Sequence, residues 1–284
     1  MVSNLKSNSP KSYCLKSRNP TSSSLKSHCL KSHHLKSSSL KSHSPTSKTV
    51  SPFLLTLAIL PGLLICWAVY RADKYEREPL WSLVMCFGLG AAITQPAILL
   101  EQEFIPMIGE IERDPALTFL MAFGAISPVE EIIKWLALIF GAFVWRFFNE
   151  PFDGIVYSVM ISMGFATVEN FFYIDIFGQE TALLRAFTAV PAHLVFAIPI
   201  GYYAGLAKFN PKERIHLLFR GLLVSILLHG TYDFLVLQNW TKWLSSIGAV
   251  SIYLCLYYSG ALLREHLENS PFRPKEEKIE DHAI

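Results

Sequence analysis

Three ionisable residues lie close together within a long apolar segment, where charge is rare. Glu130, Glu131 and Lys134 are the only ionisable residues between Ala116 and Arg146. In a helix, Glu130 and Lys134 are i,i+4 neighbours and can pair, whereas Glu131 points about 100° away and needs another partner. A charged side chain near the bilayer centre costs about 2.5–3.5 kcal/mol. Three such groups within two turns therefore indicate partners, water or a function.

Further polar residues lie at a similar depth in the next three apolar segments. They are Glu169 with Asn170, then His193, then His229 with Asp233. The last two are i,i+4 neighbours on one helix face. Desolvating the four acids, the lysine and the two histidines would cost on the order of 10 kcal/mol, which a purely structural scaffold does not need. We therefore expect these side chains to converge in one cavity.

This combination of side chains suits hydrolysis. Two histidines and a carboxylate can hold a divalent metal such as Zn²⁺ with an open position for water, which the metal acidifies, and a further glutamate can take the proton. Without metal, a glutamate and a histidine could activate water between them, with Asn170 or the second histidine as the oxyanion donor. The alternatives are an ion- or proton-coupled transporter, because such residues also build ion relays, and a catalytically inactive binding protein.

The composition is typical of a polytopic membrane protein rather than a soluble domain. Of the 284 residues, 51% are hydrophobic and only 17% are charged. Apolar runs of spanning length alternate with short polar loops; they cover 52–70, 80–100, 116–148, 153–174, 182–206, 215–237 and 241–263. The third run is too long for one untilted span, so we expect it to be tilted or broken at Pro128. The prediction is an all-α helical membrane bundle of about seven transmembrane helices, with eight as the alternative.

The charges of the loops predict the orientation of this bundle. If the first span enters from outside, the inner loops and the C-terminal tail hold eleven Lys and Arg residues, and the outer loops hold only Arg113 and Lys242. Positive charge is retained on the cytoplasmic side, so we predict an N-out, C-in topology. The polar set then lies in the outer half of the bundle or near its midplane. No comparable set is expected in the cytoplasmic half.

The N-terminal region differs from the rest of the chain. Residues 1–49 repeat a Leu-Lys-Ser pentapeptide pattern and contain eight Lys, one Arg and no acid. Such a sequence cannot bury a core and is expected to be disordered. We therefore predict three regions: a disordered basic tail at 1–49, a membrane domain at 50–265 and a charged cytoplasmic tail at 266–284.

The polar motifs resemble those of the PrsW family of intramembrane proteases, which is related to the CAAX-type prenyl endopeptidases. The matching motifs are Glu130-Glu131-x-x-Lys134, Phe165-x-x-x-Glu169-Asn170, His193 followed by Gly201, and His229-Gly230-x-x-Asp233, with the loop Asp73–Pro79 also similar. The resemblance rests on these four motifs occurring together, in this order and at these spacings. The resemblance covers about residues 50–265.

The resemblance implies an endopeptidase in the bacterial cytoplasmic membrane that cuts membrane-anchored proteins near the extracytoplasmic face, as the family's namesake cuts an anti-sigma factor. The implied catalytic set is Glu130, Glu131, Glu169, His193 and His229, supported by Lys134, Asn170 and Asp233. Relatives described as metallopeptidases imply Zn²⁺ at His193, His229 and Glu169, whereas the CAAX-type relatives imply a glutamate mechanism. The expected partners are the substrate and the lipid bilayer, and no nucleic acid.

Overall fold

A computed structural model describes residues 52–103, 113–238 and 240–274, with the backbone alone at 175–177 and 242. Within these ranges the secondary structure is helical. The α-helices are α1 Pro52–Ala72, α2 Leu80–Glu101, α3 Pro115–Met121, α4 Ser127–Phe140, α5 Pro151–Phe177, α6 Gln179–Phe187, α7 Ala189–Phe209, α8 Arg214–Leu237 and α9 Lys242–Glu268.

Seven segments in the described part of the chain are long and apolar enough to cross a membrane. One of them, Pro115–Val144, combines α3, α4 and the turns beside them, and another, Gln179–Phe209, combines α6 and α7. These findings confirm the all-helical class and the count of seven. The N-out, C-in orientation stays a prediction. The repeat tail at 1–49 and residues 275–284 lie outside the described residues.

The long third span was expected to be either tilted or broken at Pro128, and the structure shows no break there. A π-helical turn, Ala122–Ile126, joins α3 to α4. The backbone N–H and the hydroxyl of Ser127 both donate to the carbonyl of Ala122. Pro128 then falls in the first turn of α4, where its missing N–H has no intrahelical partner to lose. π-helical turns are frequent at functional sites, and this one directly precedes α4, the helix that carries Glu130.

Helix α5 is the central helix, and its neighbours α2 and α7 approach it closely. A Cβ on Gly201 of α7 would lie 2.5 Å from the carbonyl oxygen of Gly154 on α5, and a Cβ on Gly90 of α2 would overlap the carbonyl oxygen of Ile161. Small residues at such crossings let the backbones of membrane helices touch. The Gly201-x-x-x-Gly205 spacing is therefore a packing feature.

The two ends of α5 carry buried acids, and the stretch between them is closely packed. Asp153 and Glu169 are sixteen residues apart, which corresponds to about 24 Å along a helix. Between them, apolar side chains are buried. The hydroxyls of Ser158 and Ser162 donate to carbonyl oxygens of α7. No continuous polar path therefore joins the ends along the described part of α5.

The expectation that only one end gathers buried polar groups is wrong. Asp73, Glu78, Glu150 and Asp153 are all buried at the other end, with 0–2% exposure. Three of them lie in the loops or cap that surround the start of α5, where a sequence pattern looks like solvated polar residues. These residues are buried because the loop between α1 and α2 packs against the start of α5.

Candidate active site

The polar residues of the central spans converge at the end of α5 that carries Glu169. Seven of the eight residues named from the sequence are buried and Asp233 is half-buried. Helix α4 contributes Glu130, Glu131 and Lys134, α5 contributes Glu169 and Asn170, α7 contributes His193, and α8 contributes His229 and Asp233. The predicted convergence is thus observed among the described residues.

Lys134 lies at the centre of this group. Its Nζ is 2.8 Å from Glu130 Oε2, 2.9 Å from Glu131 Oε1 and 3.2 Å from His193 Nδ1. It also lies 4.2 Å from the centroid of the Phe165 ring, a cation–π contact. Both glutamates therefore pair with the lysine, whereas the sequence pattern predicted only the Glu130 pair.

Glu131 also finds partners on α8. Its Oε2 accepts a hydrogen bond from the hydroxyl of Ser225 at 2.7 Å, and its Oε1 lies 2.8 Å from His229 Nδ1. With Lys134, this carboxylate has three partners and 0% exposure. Ser225 was missed from the sequence, although it precedes His229 by four residues and so shares its helix face.

The contacts of His193 fix its tautomer. Its Nδ1 faces the Lys134 ammonium, which can only donate, so Nδ1 must accept. The ring hydrogen is then on Nε2, which donates to Glu169 Oε2 at 2.8 Å. The imidazole thus links the lysine on α4 to the glutamate on α5.

Arg185 of α6 completes the surroundings of Glu169, and sequence reasoning missed it. Its Nη2 lies 2.8 Å from Glu169 Oε1, and its Nε donates to Asn170 Oδ1 at 2.9 Å. Arg185 stands three residues into a run of 25 that has no other Lys or Arg, a position typical of an interfacial anchor. Two sequence features could have identified it. Arg185 is the only Lys or Arg in the apolar run 182–206, and this run follows the helix that ends near Glu169.

His229 lies between two carboxylates and against an aromatic ring. Its Nε2 is 3.3 Å from Asp233 Oδ2, opposite the Nδ1 contact with Glu131. Its ring stacks on Phe196 with centroids 4.4 Å apart. Gly230 beside it leaves room for the Phe123 ring of the π-helical turn, which a Cβ would meet at 2.5 Å. These contacts hold the imidazole in one orientation.

A cavity of about 190 Å³ opens beside this network, which is space for several water molecules. Its polar lining includes Glu130, Glu169, Arg185, His193, His229 and Asp233, whereas Glu131 and Lys134 are not part of the lining. One oxygen of Glu130 accepts a hydrogen bond from Lys134, which is the only hydrogen bond to this carboxylate among the described residues. Glu130 and Asp233 therefore both have a free oxygen at the cavity, and Glu130 is the more deeply buried of the two.

The donor groups lie close enough together to hold a divalent metal in place of some of their present contacts. Glu130, Glu169 and His193 offer ligand atoms that lie within 4.8 Å of one another, and Glu130, Glu131 and His229 form a second such group. Imidazole and carboxylate are zinc ligands. Among the described residues the expected trio of His193, His229 and Glu169 does not form one such group. The ligand roles therefore stay a prediction.

Comparisons with known proteins identify the family of the chain. Residues 78–260 match the family model described as PrsW family intramembrane metalloprotease. The chain is 37% identical to Protease PrsW of Geobacillus kaustophilus over 66% of its length and 80% of the relative. It is 34% identical to Protease PrsW of Bacillus subtilis, over 66% of the chain and 85% of the relative. It is 38% identical to Protease PrsW of Clostridioides difficile, over 67% of the chain and 81% of the relative. No solved structure matches. The chain belongs to the PrsW family of intramembrane proteases.

Proposed function

We propose that this protein is an intramembrane endopeptidase in which Glu130 activates water in the cavity beside α4, α5, α7 and α8. The observation that carries the proposal is the free carboxylate oxygen of Glu130 at the wall of that cavity. A carboxylate in this position can accept a proton from a water molecule. Glu131 has no free oxygen for water, because it is fully buried and both of its oxygens already have hydrogen-bond partners.

The reaction then follows from the arrangement of the groups. Water transfers a proton to Glu130 as its oxygen forms a bond to the carbonyl carbon of the substrate peptide. The same proton passes to the amide nitrogen as the carbon–nitrogen bond breaks, which releases an amine and a carboxylic acid. His229 lines the cavity and is the better placed donor to the developing oxyanion, whereas Asn170 is not among the lining residues. Glu131 acts as a positioning residue for Lys134 and His229.

The same site could operate with a metal, as the family description suggests. Glu130, Glu169 and His193 would then hold it, since these three face the cavity together. A bound Zn²⁺ would supply Lewis-acid polarisation and a more acidic water. In either case Glu130 is the residue whose loss removes water activation, and Arg185 holds Glu169 in place.

The proposed substrate is a membrane-anchored protein that is cut near the extracytoplasmic face, with an anti-sigma factor as the specific candidate. The distribution of Lys and Arg between the loops supports this side of the membrane. The family supports a protein substrate within the bilayer. A transporter is less well supported, because a closely packed apolar stretch of α5 separates the cavity from the opposite end.

Cleavage of a co-expressed single-span substrate tests the proposal. Glu130→Gln, Glu131→Gln and His229→Ala should each abolish cleavage, and Glu180→Gln, an exposed change on α6, should not. Inhibition by a chelator with loss of metal in His193→Ala would support the metal form, and cleavage insensitive to chelator would support the glutamate form. Cleavage that survives all three changes, or ion flux without any cleavage, would overturn the proposal.

A further inference from the structure

A second group of carboxylates surrounds the start of α5, about 24 Å along the helix from Glu169. Asp73 directly follows α1, and Glu78 lies two residues before α2. Glu150 caps α5 and Asp153 lies in its first turn, where the two form a capping box. All four are buried, at 0–2% exposure. None of them belongs to the proposed active site.

Each of the four carboxylates keeps at least one oxygen free. Five oxygens are buried and make no hydrogen bond in the structure: both of Asp73 and one each of Glu78, Glu150 and Asp153. The remaining oxygens are firmly held. The backbone N–H groups of Asn149 and Glu150 donate to Asp153 at 2.8 Å each, Tyr157 donates to Glu78, and Ser270 donates to Glu150.

None of these acids has an ion-pair partner among the described residues. Among the described residues, no Lys, Arg or His nitrogen lies within 4.0 Å of the four carboxylates. Lys208 donates to the carbonyls of Phe143 and Trp145 instead. Arg77 donates to the backbone carbonyl of Asp73 rather than to its carboxylate.

The four buried carboxylates need a positive partner, because burying a charge without one is costly. A bound cation would supply that partner.

We propose that Asp73, Glu150 and Asp153 form a site for a hard divalent cation, Ca²⁺ or Mg²⁺. One oxygen from each of these residues lies within 4.8 Å of the others. The free oxygens of Asp73, Glu150 and Asp153 are buried and have no other partner. The ligands are oxygen only, which selects Ca²⁺ or Mg²⁺ over zinc. Glu78 adds negative charge beside them.

The cation joins parts of the chain that are distant in sequence. Asp73 belongs to the loop between α1 and α2, whereas Glu150 and Asp153 belong to the start of α5. Through Ser270, Glu150 also contacts the segment after α9. The site therefore ties three regions together at the end of the bundle opposite the active-site cavity, and its role is to stabilise that end.

Titration of the purified full-length protein with CaCl₂ or MgCl₂, after treatment with a chelator, tests the site. Saturating Ca²⁺ or Mg²⁺ should raise Tm by about 5 °C or more, and calorimetry should show one saturable site. Asp73→Asn should weaken binding by at least about tenfold, because it removes one charged ligand. Asp73 is the better variant, since its carboxylate makes no hydrogen bond in the structure; Asp153→Asn also removes a helix cap.

Two control variants locate the effect. Glu268→Gln changes an exposed acid on α9 two residues before Ser270, and Glu130→Gln changes the proposed active site. Both should keep the cation-induced rise in Tm. The proposal is overturned if neither Ca²⁺ nor Mg²⁺ binds, if Asp73→Asn binds as wild type does, or if Glu130→Gln abolishes the effect. A response to Zn²⁺ alone would also overturn it.

Discussion

Asp153 at the start of α5 and Glu169 near its end are both buried carboxylates on one helix, yet their surroundings differ. Glu169 contacts Arg185 and His193, and the neighbouring acids contact Lys134 or His229. Asp153 has backbone donors on one oxygen and no charged partner among the described residues. Burial alone therefore does not distinguish the two clusters. Among the described residues, Lys, Arg or His side chains pair with the acids at one end of α5 and form no ion pair with those at the other end.

The paired cluster around Lys134 and the unpaired cluster around Asp73 and Asp153 also differ in a second way that bears on chemistry. The network of the paired cluster saturates Glu131 but leaves one oxygen of Glu130 free at a cavity. In the unpaired cluster, one oxygen from each of Asp73, Glu150 and Asp153 lies within 4.8 Å of the others instead. A free carboxylate beside water suits proton transfer, and converging carboxylates suit a hard cation. The comparison separates a reactive end from a structural end.

The largest effect on stability is expected from removing the central cation of the paired cluster. Lys134→Met leaves Glu130 and Glu131 buried without their lysine partner, so we expect the free energy of unfolding to fall by about 3–5 kcal/mol. Equilibrium unfolding in mixed micelles measures this. Lys212→Met, which changes an exposed lysine, should alter it by less than about 0.5 kcal/mol. Equal stabilities for the two variants would show that the pairing contributes nothing.

The packed stretch between the two clusters gives the next largest effect. Gly90→Ala places a Cβ on the Ile161 carbonyl, whereas Gly88→Ala meets no atom within 4 Å. The first change should destabilise the protein by about 1–3 kcal/mol through overpacking, and the second should have almost no effect. Thermal unfolding of both variants checks this. If Gly90→Ala were tolerated as well as Gly88→Ala, the helices would be less closely packed than the structure shows.

A smaller effect is expected where the paired cluster uses the shape of arginine. Arg185 contacts Glu169 through Nη2 and Asn170 through Nε, and lysine cannot reproduce both contacts. Arg185→Lys should keep the charge and lower the rate of substrate cleavage by about tenfold. An exposed arginine, Arg264, gives the control change Arg264→Lys. A full rate in Arg185→Lys would mean that only its charge matters.

The smallest effect is expected in the unpaired cluster when cations are absent. In chelator, Asp73→Asn removes a repelling charge without breaking a hydrogen bond, so stability should stay within about 1 kcal/mol of wild type or rise. The matched change in the paired cluster, Glu131→Gln, weakens three contacts and should lower stability by about 1–3 kcal/mol. Parallel unfolding curves in chelator compare the two. A larger loss in Asp73→Asn would reverse the comparison.

The sequence predicted the spans and the paired cluster well, because charge within apolar runs is a strong signal in a membrane protein. Spacing placed Glu130 with Lys134 and His229 with Asp233, and the structure confirms both contacts. Spacing could not assign Glu131 to Ser225, since that contact depends on how α4 crosses α8. Nor could it show that the span continues through a π-helical turn at Ala122–Ile126 and past Pro128 without a break.

The unpaired cluster was missed for a different reason. Asp73 and Glu78 stand in a loop rich in charged residues, and Glu150 and Asp153 stand where acids commonly cap a helix. Each position looks like a solvated residue when it is considered alone. Burial arises only from the packing of the α1–α2 loop against the start of α5. Tertiary packing of this kind leaves no periodic signal in the sequence.

The most direct test of the central claim is the cleavage rate of Glu130→Gln in purified, reconstituted protein. The account predicts that Glu130→Gln keeps a cooperative unfolding transition and loses about 10²–10⁴-fold in rate, because an amide cannot accept the proton from water. Glu180→Gln should cleave at the wild-type rate in the same assay. A folded Glu130→Gln protein that cleaves the substrate at the wild-type rate would contradict the assignment of Glu130.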